Sequence, residues 1–322
     1  MTQIIRQRLT ASVIICCHDF ARIDWLTEAV NSVIKQRRKP DEIIIVFDTI
    51  EGLEEALKQK FNLPILMIPN ASEHGLSLAR NTGIQAASGD IVVFLDDDAN
   101  AEPDWLEWIL EPFNQPEVIG VGGKAIPEWL GSGKRPSWFP EEIDWTIGCM
   151  HTGFQDNARI VRNVFGSNMA FRRFRLQEID GFDANLGGPI SGDDTDICLR
   201  ATAGNPQYYI VYEPKALVRH KVPQNRQTFR HIAYNAWIQG IGKATTKAIH
   251  NRDKRALATE KRYLGSLIVK FLPLQARNMF KHPKSSIGKI TAVVIVVASL
   301  GLGYMLTITK IHHVNLNKYK TS

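Results

Sequence analysis

Three adjacent carboxylates, Asp96-Asp97-Asp98, follow the apolar string Ile91-Val92-Val93-Phe94-Leu95. The string has the length and composition of a buried parallel strand. Three anions at the end of such a strand repel one another, and a divalent cation with oxygen ligands is the simplest source of compensating charge. In open α/β sheets, ligands bind beyond the carboxyl ends of the strands. The triplet therefore points to a metal that holds a phosphorylated substrate. A solvated acidic turn is the plainer alternative, but exposed turns rarely follow so apolar a strand.

Other polar residues fall at the same edge. His18-Asp19 follows the apolar SVIICC, and Asp48 follows EIIIVF. A carboxylate at that edge can accept hydrogen bonds from a base or a ribose. Taken singly, Asp19 or Asp48 reads equally well as a helix cap or a turn residue. Arg80 and Asn81 stand in mid-course of GLSLARNTG, where Asn and Gly are poor helix formers. Close packing or ligand contact explains them, and Arg80 could reach a phosphate, a base or a surface carboxylate. A second acidic cluster, Asp193-Asp194-Thr195-Asp196, opens a helical pattern. Carboxylates are stabilised at a helix start, but three in four residues exceed what a cap requires. An acid beside a metal–diphosphate site could act as general base toward an acceptor hydroxyl. His220, after Ala216-Leu217-Val218, could be a metal ligand, a residue behind the ligands or a plain surface histidine.

Regular elements must position these groups. Strands are expected at Ser12–Cys17, Glu42–Phe47, Pro64–Ile68, Asp90–Leu95 and Val118–Val121. Helices are expected at 24–36, 51–60, 76–87 and 103–110. This alternation implies a mostly parallel sheet with flanking helices. Gly131 to Asp144 reads as a long loop, of the kind that often serves as a lid or a binding loop. Further elements are expected at 168–174, from about Asp194, and over 228–249.

The chain has 322 residues and a net charge of +6, with Lys and Arg concentrated between Arg219 and Lys289. No nucleic-acid motif accompanies that bias, so an anionic membrane surface is the expected partner. Cys16, Cys17, Cys149 and Cys198 lack zinc-type spacing and suit a reducing compartment as small core residues. No secretory signal opens the chain. Ile290 to Thr309 carries no charge, and twenty helical residues rise about 30 Å, the thickness of a bilayer core. Lys289 and Lys310 bracket it as interfacial anchors. From Lys261 to Phe280 apolar and basic residues alternate, as in an amphipathic helix that lies in a membrane interface or packs on the domain. The expected division is a catalytic domain at 1–245, a basic membrane-proximal region at 246–289, a transmembrane helix at 290–309 and a basic tail at 310–322. The large N-terminal part is expected in the cytoplasm.

These residues resemble family 2 glycosyltransferases of the GT-A fold over roughly Ala11 to His220. SVIICCHDF, the strand ending in Asp48, GLSLARNTGIQAASGDIVVFLDDDA and GFDANLGGPISGDDTDICLR carry the likeness, in the family's order. The resemblance implies a nucleotide-sugar donor, contacted by Asp19, Asp48, Arg80, Asp96 and Asp97. It implies a divalent cation, Mn2+ or Mg2+, on Asp96 and Asp98, with His220 at the place of a further metal ligand. It implies a catalytic base in the pair Asp193-Asp194, assigned to Asp194, and a lipid-linked or glycan acceptor. The chain departs from the family at His18-Asp19, where Tyr-Asn is usual, and at Asp48-Thr49, where Asp-Asp or Asp-Gly is usual. The Gln-x-x-Arg-Trp motif of processive synthases is absent, since His231 follows Arg230, so single addition is expected. Trp237-Ile238-Gln239-Gly240 and the C-terminal anchor resemble a membrane-linked subgroup that includes glucuronosyltransferases acting on dolichyl-phosphate-glucose. A nucleotidyltransferase would use a similar sheet but needs a Gly-rich basic loop, which HDFARID lacks. A tethered binding protein with a decayed site is disfavoured by intact Asp98 and Asp194.

Overall fold

The computed structural model describes residues 8–48, 52–61, 65–70, 75–151, 157–186, 191–250 and 263–313. Lys261, with residues 251–262 of the expected membrane-proximal region and 314–322 of the expected tail, lies outside them. The first half alternates as β1 (Ala11–Cys17), α1 (Ile23–Ile34), β2 (Glu42–Asp48), α2 (Leu53–Lys60), β3 (Leu66–Asn70), α3 (Leu76–Ala86) and β4 (Ile91–Asp96). The helical crossovers make β3, β2, β1 and β4 parallel neighbours, as such connections must. Then follow β5 (Ala99–Ala101), α4 (Trp105–Leu110), β6 (Val118–Trp129), β7 (Arg159–Val161), β8 (Asn168–Arg172), α5 (Arg173–Glu178), α6 (Asp193–Thr202) and β9 (Tyr209–Val222). The sheet order is β3-β2-β1-β4-β8-β6-β9-β5, with β7 also on β9. Antiparallel β8 joins the doubly wound half to β6, and β6 pairs β9 in parallel.

Two expectations change here. The strand expected at Val118–Val121 runs on to Trp129, because β9 accompanies β6 along its length past a register shift at Gly123/Lys124. The expected loop from Gly131 to Asp144 ends inside a 3-10 helix, Glu141–Ile147.

Side chains alternate across β1 because successive residues of a strand face opposite ways. Val13, Ile15 and Cys17 pack with Leu26, Val30 and Trp105 on one face of the sheet. Ile14 packs with Val92, Phe94, Ile84 and Ile197 on the other. Each buried aliphatic chain of this kind contributes about 1.5–3 kcal/mol. All four cysteines are free thiols; Cys17, Cys149 and Cys198 are buried and Cys16 is half-buried at the edge of the core, and burial pushes the Cys16 and Cys17 thiols up to about 12. Within α3 the poor helix formers are explained by packing. A methyl at Gly83 would meet the side chain of Ile14. The Asn81 amide donates to Phe182 O and accepts from Phe182 N, both at 2.8 Å.

Beyond β9 come α7 (Phe229–Ile249), a π turn at Leu267–Phe271 continuing into α8 (Leu272–Asn278), and α9 (Pro283–His313). Pro283–Lys310 of α9 is long and apolar enough to cross a bilayer. Only 22% of its most apolar window is buried against the protein, which separates it from an ordinary core helix. It is nonetheless docked. Ala292, Val293 and Val296 pack with Phe139, Ile143, Ile232 and Ala236. Further along, a methyl at Gly240 of α7 would strike the backbone of Leu300 and Tyr304, and one at Gly303 would strike Trp237. Small residues let two helix backbones approach closely where no larger side chain fits.

Candidate active site

Parallel pairing sets Asp96 opposite Cys16 at the carboxyl edge of the sheet. The chain turns at Asp97-Asp98, and β5 returns along β9 with Ala99 opposite His220. Lys221 N donates to Asp98 O at 2.8 Å. The turn and the antiparallel pair therefore deliver His220 to Asp98, Nε2 to Oδ1 3.1 Å. Ligand atoms of Asp96, Asp98 and His220 lie within 4.8 Å of one another. Two carboxylate oxygens and one imidazole nitrogen converge there, with Asp98 and His220 buried and Asp96 half-buried, a donor set that fits a hard to borderline divalent cation.

Protein cations compensate the triplet. Arg22 donates to Asp97 Oδ1 at 2.9 Å and to Asp98 Oδ2, and Arg226 Nη1 reaches the same Asp98 oxygen at 3.1 Å. Burial alone would raise the Asp98 pKa, but His220, Arg22 and Arg226 reverse that and hold it well below the usual carboxylate range. His220 is pushed the other way. Burial opposes its charge, yet Asp98 raises it well above its ordinary value. Asp97 behaves differently. Burial, with Asp98 and Asp96 as like-charged neighbours, lifts it to about 7 against the pull of Arg22.

Asp19 and Asp48 stand at the same edge. Asp19 is exposed and caps the 3-10 turn Phe20–Arg22, its Oδ1 accepting from Ala21 N at 2.9 Å. It thereby fixes the turn that carries Arg22. Asp48 is buried and accepts from Asn70 Nδ2 at 2.9 Å, from the adjoining strand.

Arg80 lies inside the protein, 3% exposed. It donates to Asp193 Oδ2 at 2.6 Å and to Gly166 O at 3.0 Å, with Asp96 at 3.5 Å. Burial works against its charge, but Asp193 and Asp96 outweigh it and raise its pKa. Of the roles open to Arg80, the structure shows a buried tie between Asp96 of the first acidic cluster and Asp193 of the second.

That second cluster opens α6, where carboxylates gain from the helix dipole. Gly192 precedes it at φ +115°, a backbone that disfavours other residues, and a methyl there would meet Thr246 Oγ1. The three acids have separate partners. Asp193 pairs with Arg80, and Asp196 with Arg200 and with His250 at 2.8 Å. Among the described residues no cation forms an ion pair with Asp194, which accepts from Thr195, whose hydroxyl lies at 3.3 Å, and feels Lys243 and Arg80 only at longer range. Burial first, then neighbouring Asp193, pushes Asp194 up to about 6. A carboxylate with that value can accept a proton near neutral pH.

Sequence reasoning thus named the acids and His220 but missed Arg22, Arg226 and Asn70. The signal for Arg22 was a basic residue in HDFARID, directly after the first strand. For Arg226 it was a basic residue four positions beyond Val222.

Comparison with known proteins places this geometry. The model of glycosyl transferase family 2 matches residues 12–180, which include the acidic triplet but not Asp194 or His220. Glucosyl-dolichyl phosphate glucuronosyltransferase of Haloferax volcanii is 29% identical over 308 residues, covering 92% of this chain and 96% of that protein. Succinoglycan biosynthesis protein ExoM of Rhizobium meliloti is 28% identical over 198 residues, 59% of this chain and 58% of that protein. The solved mannosyltransferase PcManGT from Pyrobaculum calidifontis, in complex with GDP-Man and Mn2+, shares the fold. Its TM-score is 0.57 at 17% identity, over 98% of this chain and 83% of that one. GalNAc-T7 with UDP, GalNAc and Mn2+ gives 0.54 at 18% identity, over 86% of this chain and 58% of that one. A mixed sheet of GT-A type, an acidic strand end and a family match across half the sequence lead to one assignment: the chain belongs to glycosyl transferase family 2.

Proposed function

We propose that this chain is an inverting glycosyltransferase. It moves a sugar from a nucleoside diphosphate sugar, with UDP as the nucleotide, to a lipid-linked acceptor at the cytoplasmic face of a membrane. The observation that carries the reading is Asp194. It is the one acid of its cluster left without an ion pair among the described residues, and Arg80 links its neighbour Asp193 to Asp96. Asp96, Asp98 and His220 would hold Mn2+ or Mg2+. A cation bound there supplies Lewis-acid stabilisation of the departing diphosphate. Asp194 takes the proton of the acceptor hydroxyl as that oxygen attacks the sugar carbon, so a single displacement needs no protein nucleophile. Asp19, Asp48 and Asp97 face the nucleotide in this reading.

The lipid-linked acceptor is supported by the named activity of the Haloferax volcanii relative and by the C-terminal helices. Along the π turn and α8, Leu267, Phe271 and Gln275 are buried, whereas Leu264, Ile268 and Leu272 are exposed. Val269 is 73% exposed and Phe280 93%. One face of this stretch packs on the protein and the other offers apolar side chains outward, which supports a helix that lies in a membrane interface. Lys270 and Arg277 are exposed beside them, as in a helix that binds anionic lipid.

The reading is tested by incubating the protein with a panel of radiolabelled UDP- and GDP-sugars and a total lipid extract. Label is expected to enter the organic phase from a UDP-sugar, to stop with EDTA and to return with Mn2+. The product is expected to carry the inverted anomeric configuration by NMR. Transfer that survives EDTA, or retained configuration, contradicts it. The membrane part is tested by floating the full chain with vesicles containing anionic lipid. Retention at high salt is expected, because a span does not depend on charge. Complete release by salt would leave only surface binding.

A further inference from the structure

We infer that Arg22 and Arg226 form a clamp for the donor's diphosphate, held on Asp98 until a cation takes that carboxylate. The inference rests on the metal and donor roles proposed above. Arg22 comes from the turn after β1 and Arg226 from the 3-10 turn Gln224–Arg226 after β9, so two distant segments converge on one carboxylate. Asp98 Oδ2 accepts from both guanidinium groups, and Oδ1 faces His220. Both oxygens are therefore engaged by protein cations. A divalent cation between Asp96, Asp98 and His220 needs lone pairs that these groups now use, and positive charges a few ångströms apart repel in a partly desolvated site. The guanidinium groups must then give up Asp98.

Several features say where they turn. Arg22 Nε is buried with no hydrogen-bond partner, a donor still to be satisfied. The Arg226 side chain is 28% exposed while Asp98 is 4% exposed, so part of that side chain reaches the open side of the cluster. Each side chain is long and issues from a turn rather than from the middle of a regular element. A guanidinium fork matches phosphate oxygens through paired hydrogen bonds. A diphosphate held at the metal would bring the nearest anionic oxygens. The same two residues thus neutralise the acidic triplet in the empty site and bind the leaving group in the loaded one. Metal and diphosphate must then bind with positive coupling, and the coupling is reciprocal.

The test uses the full chain and its Arg22→Gln and Arg226→Gln variants, with Mn2+ alone and then inorganic pyrophosphate at saturating Mn2+, followed by calorimetry. Each variant is expected to bind Mn2+ alone several-fold more tightly, because a competing cation is gone. Each is expected to bind pyrophosphate roughly tenfold more weakly, within the usual range of coupling between sites. The opposite signs are the signature. A merely structural role would weaken both or neither, and weaker Mn2+ binding with unchanged pyrophosphate affinity would overturn the clamp. If Arg22→Gln does not fold, as judged by circular dichroism, Arg226→Gln carries the test. Arg22→Lys, which keeps the charge and loses the fork, is expected to recover the Mn2+ affinity of the parent but not its pyrophosphate affinity. Pyrophosphate binding does not depend on sugar transfer. A protein that shows the opposite signs but transfers no sugar would keep the clamp and lose the proposed reaction.

Discussion

Asp98→Ala is expected to abolish metal-dependent sugar transfer, with a fall in turnover of roughly 10²–10⁴. Lewis-acid stabilisation is worth several kcal/mol, and each 1.36 kcal/mol is a factor of ten in rate. Asp98 has no substitute in the cluster. Asp96 is its remaining carboxylate, and Asp97 spends one oxygen on Arg22. Removing Asp98 also leaves His220, Arg22 and Arg226 without their shared anion. Breaking one side of a buried ion network typically costs about 3–5 kcal/mol, so the melting temperature of the metal-free protein should fall. Asp98→Asn keeps the shape and part of the hydrogen bonding, and is expected to lose Mn2+ binding with a smaller loss of stability. Calorimetric titration with Mn2+, transfer at saturating donor and thermal unfolding separate the two effects. A wild-type rate in Asp98→Ala would remove this carboxylate from the metal site.

The parts of this site that the sequence disclosed are those fixed by backbone. An apolar string ending in three acids favours a strand delivering charge to a sheet edge over a solvated turn, and Asp96 stands there, in register with Cys16. His220 was singled out as a metal ligand through the family resemblance, and the residue-by-residue pairing of β5 and β9, which no periodicity announced, is what brings it to Asp98. Arg22 and Arg226 were not singled out. Their side chains cross from turns whose direction no periodicity records, and a basic residue in a turn has many possible partners. Asp19 shows the converse. Its two readings, cap and ligand, differ only in what stands opposite, and the structure supplies Ala21 N. The C-terminal helix was legible as a candidate span from composition alone. Its docking was not, because Gly240 and Gly303 mark a close approach only once both helices are side by side.

Asp194→Asn is expected to keep donor binding and lose transfer by about 10²–10⁴, the usual contribution of a general base. The amide has the shape of the carboxylate but accepts no proton near neutral pH. The fold itself opposes the charge that the proposed base must carry. Burial, then Asp193, pushes Asp194 from 3.8 up to about 6, so the folded chain favours its protonated form. The associated stability is fully present below about pH 4 and is lost as pH rises through about 6. At pH 7–8 the neutral asparagine should therefore leave melting temperature unchanged or raise it. In the parent protein kcat/KM should fall about tenfold per pH unit below about 6, since that ratio reports the free enzyme's essential base. Asp193→Asn makes the contrast. It removes the 2.6 Å anionic partner of a buried guanidinium and should destabilise the protein, because Arg80 is left with Asp96 at 3.5 Å as its nearest carboxylate beside Gly166 O. If instead Asp194→Asn unfolded the chain while Asp193→Asn was stable and inactive, the base would be Asp193. The Arg80 pair would then mark the catalytic base, and Asp194 would be the residue that holds α6 in place.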